Sequence, residues 1–475
     1  MQYILSIDCG LTFCKSAVFA LDGRRLSESK APTPLRGLFM DCDLLWKNVM
    51  ACIRTAIEQS GVPGGAIAAV GLSGHGNGLY ALDENFTPVV AVSSMYNANQ
   101  QDVDGFIASD RYISYFDLVH QSAWGGQPMQ ILRHLKKQAP EIYGRIRHVL
   151  LCKDYLRWRL TDMIASDFSD LSAAALMEGE AGWRLCSLLG IPEKASAMPK
   201  AGRSDAALGT ISRRAAQETG LCAGTLVAGG GIDLFACMLG AGIVSEGQCS
   251  ITAGTWGIAL ALASEISAPE HLTHTCTFLP DLPSAAVVSS PISCVNLDWF
   301  LSNISPELSY EEANRVALSF APDGVKTLYL PYLYSDMARP HVGCSFSNLS
   351  ASDTWREMLC AVYEGVCFAH RLQIDCLHRA GVHFGSARMS GGATNSEAWC
   401  RLMSNILNLP IEIPAERQAG LLGGAMMAAV SAGIYPSLQV ATTAMSRIER
   451  VFEPQPHAAY DEKYLKFRKL VGDLS

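Results

Sequence analysis

Apolar and polar positions alternate from the start of the chain. A short run, YILS, leads into IDCGLTFCKSAVF, and SAVFALDGRRL alternates again before turning at Asp22 and Gly23. This pattern predicts a strand, a tight turn and a second strand. Between Leu44 and Glu58 the period changes. Leu44, Leu45, Val49, Cys52, Ile53 and Ile57 fall on one helical face, and Gly61 with the glycines after Pro63 ends it. Residues Ala66–Leu72 form a continuous apolar run of strand length. Residues 127–161 predict two helices separated near Pro140, the second carrying KDYLRWRLTD. Strand and helix patterns alternate along the chain, which argues an α/β protein.

A second passage, GQCSITAGTWGIALAL at Gly247–Leu262, has the same form as the first: strand, turn with Gly254 and Thr255, strand. Two such hairpins about half a chain apart predict a duplicated core. The expected division is residues 1–243, carrying the first hairpin, and residues 244–475, carrying the second.

Composition narrows the class. Of 475 residues, 49% are hydrophobic and 17% charged, so the chain can bury large cores. The net charge of −8, with no long basic run, argues against a nucleic-acid partner. The 16 cysteines are scattered and none forms C-x-x-C. Most, Cys237, Cys360 and Cys367 among them, read as buried small apolar residues, and free thiols fit a reducing compartment. Apolar runs break well short of a membrane span, and a strand begins near residue 3 with no signal peptide before it. The expectation is a cytoplasmic protein with no membrane partner.

Four stretches carry candidate chemistry. The first hairpin mimics a phosphate loop, but a Walker loop needs a glycine directly before its lysine, and Cys14 stands before Lys15. A hairpin can still hold phosphate through its turn N–H groups and the Thr12 hydroxyl, with Asp8 holding Mg²⁺ through water. The bland alternative is an ordinary hairpin. In LVAGGGIDLFACMLGAG, Gly229–Gly231 allow close backbone approach and Asp233 opens a helix. It is either an N-cap or a carboxylate placed to take the proton of an attacking hydroxyl. In RMSGGATNSEAWCRLMSNILNL, a strand meets Gly391 and Gly392, then Asn395 and Ser396 start a helix with Trp399, Leu402, Met403, Ile406 and Leu407 on its apolar face. A nucleotide could lie against that helix start, or Ser396 could simply cap it. SGHGNGLYAL places His75 and Asn77 between glycines, which suits a hydroxylated ligand or a surface turn. His75 has no Cys or His at zinc-ligand spacing, and on their own Trp124 and Trp158 read as core residues sooner than as ligand platforms.

Taken in order, IDCGLTFCKSAVF, SGHGNG, KDYLRWRLT, AGGGIDLFACMLGAG, ITAGTWG, YEGVCFAH and SGGATNSEAWCRLMSNILNLPI resemble the FGGY carbohydrate kinases over essentially the whole chain. The resemblance implies two duplicated actin-like, ribonuclease-H-like domains around a central cleft that binds Mg-ATP and a sugar or polyol. It implies Asp233 as catalytic base and Asp8, Thr12 and Lys15 around the transferring phosphate and the metal. Gly254 and Thr255 would form the second phosphate hairpin, and Gly391, Gly392 and Asn395 would hold the adenosine. The sugar is expected against His75, Gly76, Asn77, Asn97, Trp124 and Asp233. Two departures stand out. The family commonly has two threonines after the first glycine, and here the first is Leu11. Its W-x-D-x-R motif is here Tyr96-Asn97-Ala98-Asn99, after Met95, so a charge pair becomes two amides. Asn97 keeps a donor and an acceptor for hydroxyls.

The Gln121–Pro128 stretch, the KDYLRW block and the short GHGNG loop resemble the L-xylulose kinase branch. The leading expectation is therefore an ATP- and Mg²⁺-dependent kinase for a terminal hydroxyl of a ketopentose such as L-xylulose. The alternatives are an erythritol-like polyol kinase, a sugar- and nucleotide-binding sensor without turnover, and an actin- or chaperone-like ATPase. Relatives often form dimers, so a homodimer is the assembly to test for.

Overall fold

The computed structural model describes residues 2–254, 256–334 and 341–472. Its packing divides into two units. The first is Met1–Val244 with His274–Ser284 and Gln418–Ser446; the second is Ser245–Thr273, Ala285–Arg417 and Arg447–Ser475. Two segments from beyond residue 244 thus pack with the first unit.

In the first unit, strands β1 (Tyr3–Cys9), β2 (Phe13–Phe19) and β3 (Arg25–Pro32) run antiparallel, and Asp8 lies opposite Lys15. Helix α1 (Cys42–Ser60) buries Leu45, Val49, Cys52 and Ile53 of the predicted apolar stripe, whereas Leu44 at its start is exposed and Ile57 is half-buried, and it ends at Gly61 in the left-handed conformation. The chain then enters β4 (Ile67–Gly74), which pairs in parallel with β1. Farther along come β5 (Ala207–Thr210), β6 (Leu226–Ala228) and β7 (Gly231–Ile232), and the last two both add in parallel to β4. The sheet order is β5-β6-β4-β1-β2-β3, with β7 beside β4. The parallel strands β4, β6 and β7 read as apolar runs because both faces of this sheet region are covered.

The second unit repeats the plan. Strands β8 (Gly247–Ala253) and β9 (Gly257–Ala263) form the hairpin, β10 (Ser284–Ser290) flanks it, and β11 (Phe384–Ser390) pairs in parallel with β8. Strand β12 (Ile411–Pro414) extends the sheet as β6 does in the first unit, and β13 (Ile448–Phe452) closes its edge. In each unit a parallel strand follows a long crossover and lands beside the first strand of the hairpin. That shared order, with the fold likeness described below, makes this a duplicated α/β architecture of the expected kind.

One local expectation is corrected. Residues 127–161 are not two helices but three, Pro128–Gln138, Pro140–Arg145 and α2 (Cys152–Thr161), with a strand at His148–Leu150. Pro140 restarts the helix because it has no N–H to continue it. The apolar run His148–Leu150 then joins a small sheet next to Leu79–Leu82. All 16 cysteines are free. Cys360 and Cys367 are buried as expected, whereas Cys237 is half-buried. No helix among the described residues is long and apolar enough to cross a membrane.

Candidate active site

The first unit gathers its chemistry at the carboxyl ends of β1, β4 and β7, the usual place for ligands in an open parallel sheet. Register does the placing. Asp8 pairs with Ser73, Cys9 with Gly74, and Ile232 with Gly74 from the other side. The residues that follow, His75 and Asp233, therefore emerge side by side next to Asp8.

Ser73 donates its hydroxyl proton to Asp8 Oδ1 at 2.6 Å. Burial pushes the Asp8 carboxyl above its ordinary range, while the Ser73 bond and the nearby Lys15 charge pull it back. Lys15 Nζ donates to Gln418 Oε1 at 2.8 Å, across 403 positions of sequence. Gln418 precedes the helix Ala419–Ser431, one of the segments that return to the first unit. The turn itself closes through Gly10 N–H to the Phe13 carbonyl at 3.0 Å, and Thr12 stands exposed at its tip.

The helix Ala419–Ser431 packs so tightly here that a β-carbon on Gly420 would stand 3.0 Å from Asp8 Oδ2. Gly420→Ala favours the helix by up to ~1 kcal/mol but displaces the carboxylate. The expected outcome is a melting temperature unchanged or raised and a kcat down by roughly tenfold or more, read by steady-state kinetics beside thermal unfolding.

Asp233 is the first residue of the helix Asp233–Gly240, and its Oδ1 accepts the Leu234 N–H at 2.8 Å. The N-cap position belongs to Ile232, which supplies no side-chain bond, so Asp233 is not a conventional cap. Burial and then the Asp8 charge raise its carboxyl to about 7, against the pull of His75. The triple glycine is needed for the approach. Gly230 has φ of 70°, and a β-carbon there would lie 2.3 Å from the Leu72 carbonyl oxygen.

His75 N–H donates to the Cys9 carbonyl at 2.8 Å, and its Nε2 lies 3.1 Å from the Tyr80 hydroxyl. Burial opposes charge on this imidazole, but the Cys152 sulfur and Asp233 outweigh it and raise it to about 9. Among the described residues, neither its Nδ1 nor the Asn77 Oδ1, both buried, has a hydrogen-bond partner. Gly78 N–H donates to the Gly126 carbonyl at 2.8 Å, joining this loop to the Trp124 turn, where a β-carbon on Gly126 would lie 2.3 Å from the indole. Trp124 is half-buried and Trp158 is buried. The two amides of the altered motif separate. Asn97 is exposed, whereas Asn99 is buried and donates from Nδ2 to the Gly125 carbonyl at 2.9 Å.

Behind these strand ends lies a cluster that sequence reading left unassigned. Lys153 Nζ lies 2.7 Å from Asp154 Oδ1, 2.7 Å from Asp167 Oδ1 and 2.9 Å from Asp170 Oδ2, all with 0% side-chain exposure. Arg157 adds a second cation 3.0 Å from Asp154. The KDYLRW block carries Lys153, Asp154 and Arg157, but nothing in its pattern announces the two aspartates it meets.

In the second unit, Gly254 N–H donates to the Trp256 carbonyl at 3.2 Å, closing the second hairpin, and a β-carbon on Gly254 would meet nothing within 4 Å among the described residues. Thr255 lies outside the described residues. Strand β11 runs beside β8 and ends one residue before Gly391, whose φ of 95° brings its α-carbon against Ala253, 2.5 Å from a β-carbon position to the carbonyl oxygen. Gly392 and Asn395 are exposed on the turn that follows, and Ser396 caps the helix Glu397–Leu407 by accepting the Trp399 N–H. Trp399, Leu402, Met403, Ile406 and Leu407 are buried on that helix as their spacing predicts. The structure thus brings Gly254, Gly391 and Gly392 together at the ends of adjacent strands.

Residues 3–240 match the N-terminal domain, and residues 249–432 the C-terminal domain, of the FGGY family of carbohydrate kinases. The chain is 30% identical to the L-xylulose/3-keto-L-gulonate kinase of Escherichia coli, over 100% of this chain and 97% of that one. It is 26% identical to a probable L-xylulose kinase of Haemophilus influenzae, over 100% and 99%. The crystal structure of xylulose kinase from Rhodospirillum rubrum has the same fold, with a TM-score of 0.88 at 23% identity over 100% and 99% of the two chains.

Proposed function

The chain belongs to the FGGY family of carbohydrate kinases and is a sugar phosphotransferase, and on that premise we propose that it transfers the γ-phosphate of ATP to a terminal hydroxyl of a ketopentose such as L-xylulose. The observation that carries this reading is the placement of Asp233. Its carboxylate opens a helix at the end of β7, beside Asp8, and is raised to about 7, the range suited to a general base. Asp233 takes the hydroxyl proton as the sugar oxygen attacks the γ-phosphorus. The bond from that phosphorus to the β-phosphate bridging oxygen breaks, and ADP leaves.

Lys15 and the N–H groups of the first hairpin stabilise the charge on the transferring group. The turn around Gly254 and the Gly391–Asn395 segment hold the nucleotide, with the bare α-carbons of Gly254 and Gly392 leaving room for it. The sugar lies against His75, Gly76, Asn77 and Trp124. The orphaned His75 Nδ1 and Asn77 Oδ1 find partners in its hydroxyls, which removes a cost of about 1–3 kcal/mol for each buried unpaired group. Asn97, exposed on its turn, is available to a further hydroxyl, while Asn99 acts structurally on the Gly125 loop.

Mg²⁺ fits the donor set. This hard ion keeps most of its waters and takes one or two carboxylates plus substrate phosphates, and Asp8 offers a desolvated carboxylate with Oδ1 alone committed to Ser73. When bound, the ion would neutralise phosphate charge.

The test is ADP release in a coupled assay with Mg-ATP and a panel of pentuloses, 3-ketohexonates, hexuloses and polyols. Turnover of a pentulose with the highest kcat/KM is the expected result. A polyol or hexulose preferred by tenfold or more would overturn the substrate assignment. ADP release from none, with a sugar still raising the melting temperature, would overturn the enzymatic reading for these compounds.

A further inference from the structure

Besides its strand pairing with Ser73 and Gly74 and the Gly229 N–H bond to the Ala206 carbonyl at 2.8 Å, the loop that delivers Asp233 is anchored at three points, all within the first unit. Arg157 Nη1 donates to the Gly229 carbonyl at 2.6 Å. Gly230 N–H donates to the Ser204 carbonyl at 3.0 Å. Ile232 N–H donates to Ser169 Oγ at 2.9 Å.

The third anchor has a fixed direction. Ser169 Oγ also lies 2.6 Å from Asp167 Oδ2, and that oxygen receives the Ser204 hydroxyl as well. A carboxylate has no proton to give, so Ser169 donates to Asp167 and presents only lone pairs to Ile232. Asp167 Oδ1 is held in turn by Lys153 at 2.7 Å. Ser169, Asp167 and Lys153 are each 0% exposed, so no solvent competes for these bonds. The bonds therefore run without a break from Lys153 through Asp167 and Ser169 to the peptide N–H one residue before Asp233.

We propose that Ser169 is a positioning residue for phosphoryl transfer: oriented by Asp167, its hydroxyl fixes the peptide before Asp233 and so holds that carboxylate toward the reacting hydroxyl. This rests on the reading of Asp233 as the general base. A simpler role exists for Asp167, which caps the helix Phe168–Ala173 by accepting the Ser169 and Asp170 N–H groups. That role explains the carboxylate. It leaves the Ser169 hydroxyl unexplained, because its second partner lies 63 residues away on the Asp233 loop.

The experiment compares Ser169→Ala and Ser169→Cys with Ser166→Ala and Asp233→Asn, measuring kcat, both KM values and the melting temperature on the sugar the panel identifies. Ser166 gives an equivalent buried bond, to Asp154 Oδ2 at 2.6 Å, and among the described residues no hydrogen bond joins it to the Asp233 loop. The expected result is a kcat lowered roughly 10- to 100-fold in both Ser169 variants, with KM values within about twofold of wild type. Ser166→Ala is expected to lose melting temperature while keeping kcat. If Ser169→Ala does not fold, Ser169→Cys, which fills the site with a somewhat larger atom and weakens the acceptor, carries the comparison. The proposal is overturned if the Ser169 variants behave like Ser166→Ala, or if they raise KM at constant kcat. An active Asp233→Asn would instead overturn the general-base reading, whatever Ser169 does.

Discussion

Asp233→Asn is expected to lower kcat by roughly 10²- to 10⁴-fold, the usual contribution of a positioned general base, while the protein stays folded. The asparagine is nearly isosteric, and its oxygen can still accept the Leu234 N–H that Asp233 Oδ1 takes at 2.8 Å. The helix start therefore survives. Stability should hold or rise, because the substitution removes a carboxylate that burial and Asp8 both disfavour in its charged form. Loss of kcat with an unchanged or higher melting temperature separates a chemical role from a structural one. The pH profile gives an independent check. With a carboxyl at about 7, the fraction able to accept a proton grows as pH rises, so kcat/KM should climb through that region and level off above it. Part of the rise in pKa comes from the Asp8 charge, so Mg²⁺ bound there would move the limb downward. Substantial activity in Asp233→Asn, with the limb intact, would place the base elsewhere.

What could be read from the sequence, and what could not, divides along a physical line. Both hairpins, the helix opening at Asp233 and the turn after Ser390 were legible because each is set by a local signal: period-two alternation, a glycine run, or a cap before a 3.6-period stripe. The residues that finish the site are not local. Ser73 reaches Asp8 only through parallel pairing of strands 65 positions apart, and Gln418 reaches Lys15 only because its helix returns to the first unit. No pattern around Gln418 or Gly420 signals that return. The KDYLRW block was visible as a motif, yet its partners Asp167 and Asp170 sit in an unremarkable SDFSD stretch. The helices of residues 127–161 were miscounted because the three-residue strand His148–Leu150 is too short for periodicity to separate from a helical run. Asn99 reads from sequence as a lost substrate-side charge, but it lies inside the protein and holds the Gly125 carbonyl.

Lys153→Met is expected to be among the most destabilising single substitutions in the chain. The side chains are similar in length, so packing is largely kept and the effect is electrostatic. The wild-type cluster holds three carboxylates, Asp154, Asp167 and Asp170, against two cations, Lys153 and Arg157. Lys153 touches all three acids, and among the described residues Arg157 pairs with Asp154 alone. Without the lysine, Asp167 and Asp170 lose their buried cation. Removing one partner from a buried charge set costs about 3–5 kcal/mol, which lowers a melting temperature on the order of 10 °C. Asp170→Asn should do the opposite. Burial, and then the neighbouring aspartates against the pull of Lys153, raise this carboxyl to about 8. The native state thus binds its proton at neutral pH, where an unfolded chain would not, so this group's contribution to stability falls as pH rises from about 4 to about 8. The asparagine mimics the protonated acid, balances the cluster at two and two, and should leave the melting temperature near or above wild type at pH 8. Thermal unfolding of both variants at pH 6 and pH 8 decides the matter. A mild Lys153→Met together with a severe Asp170→Asn would mean that Asp170 is ionised in the native state, and that its charge is what the cluster is built around.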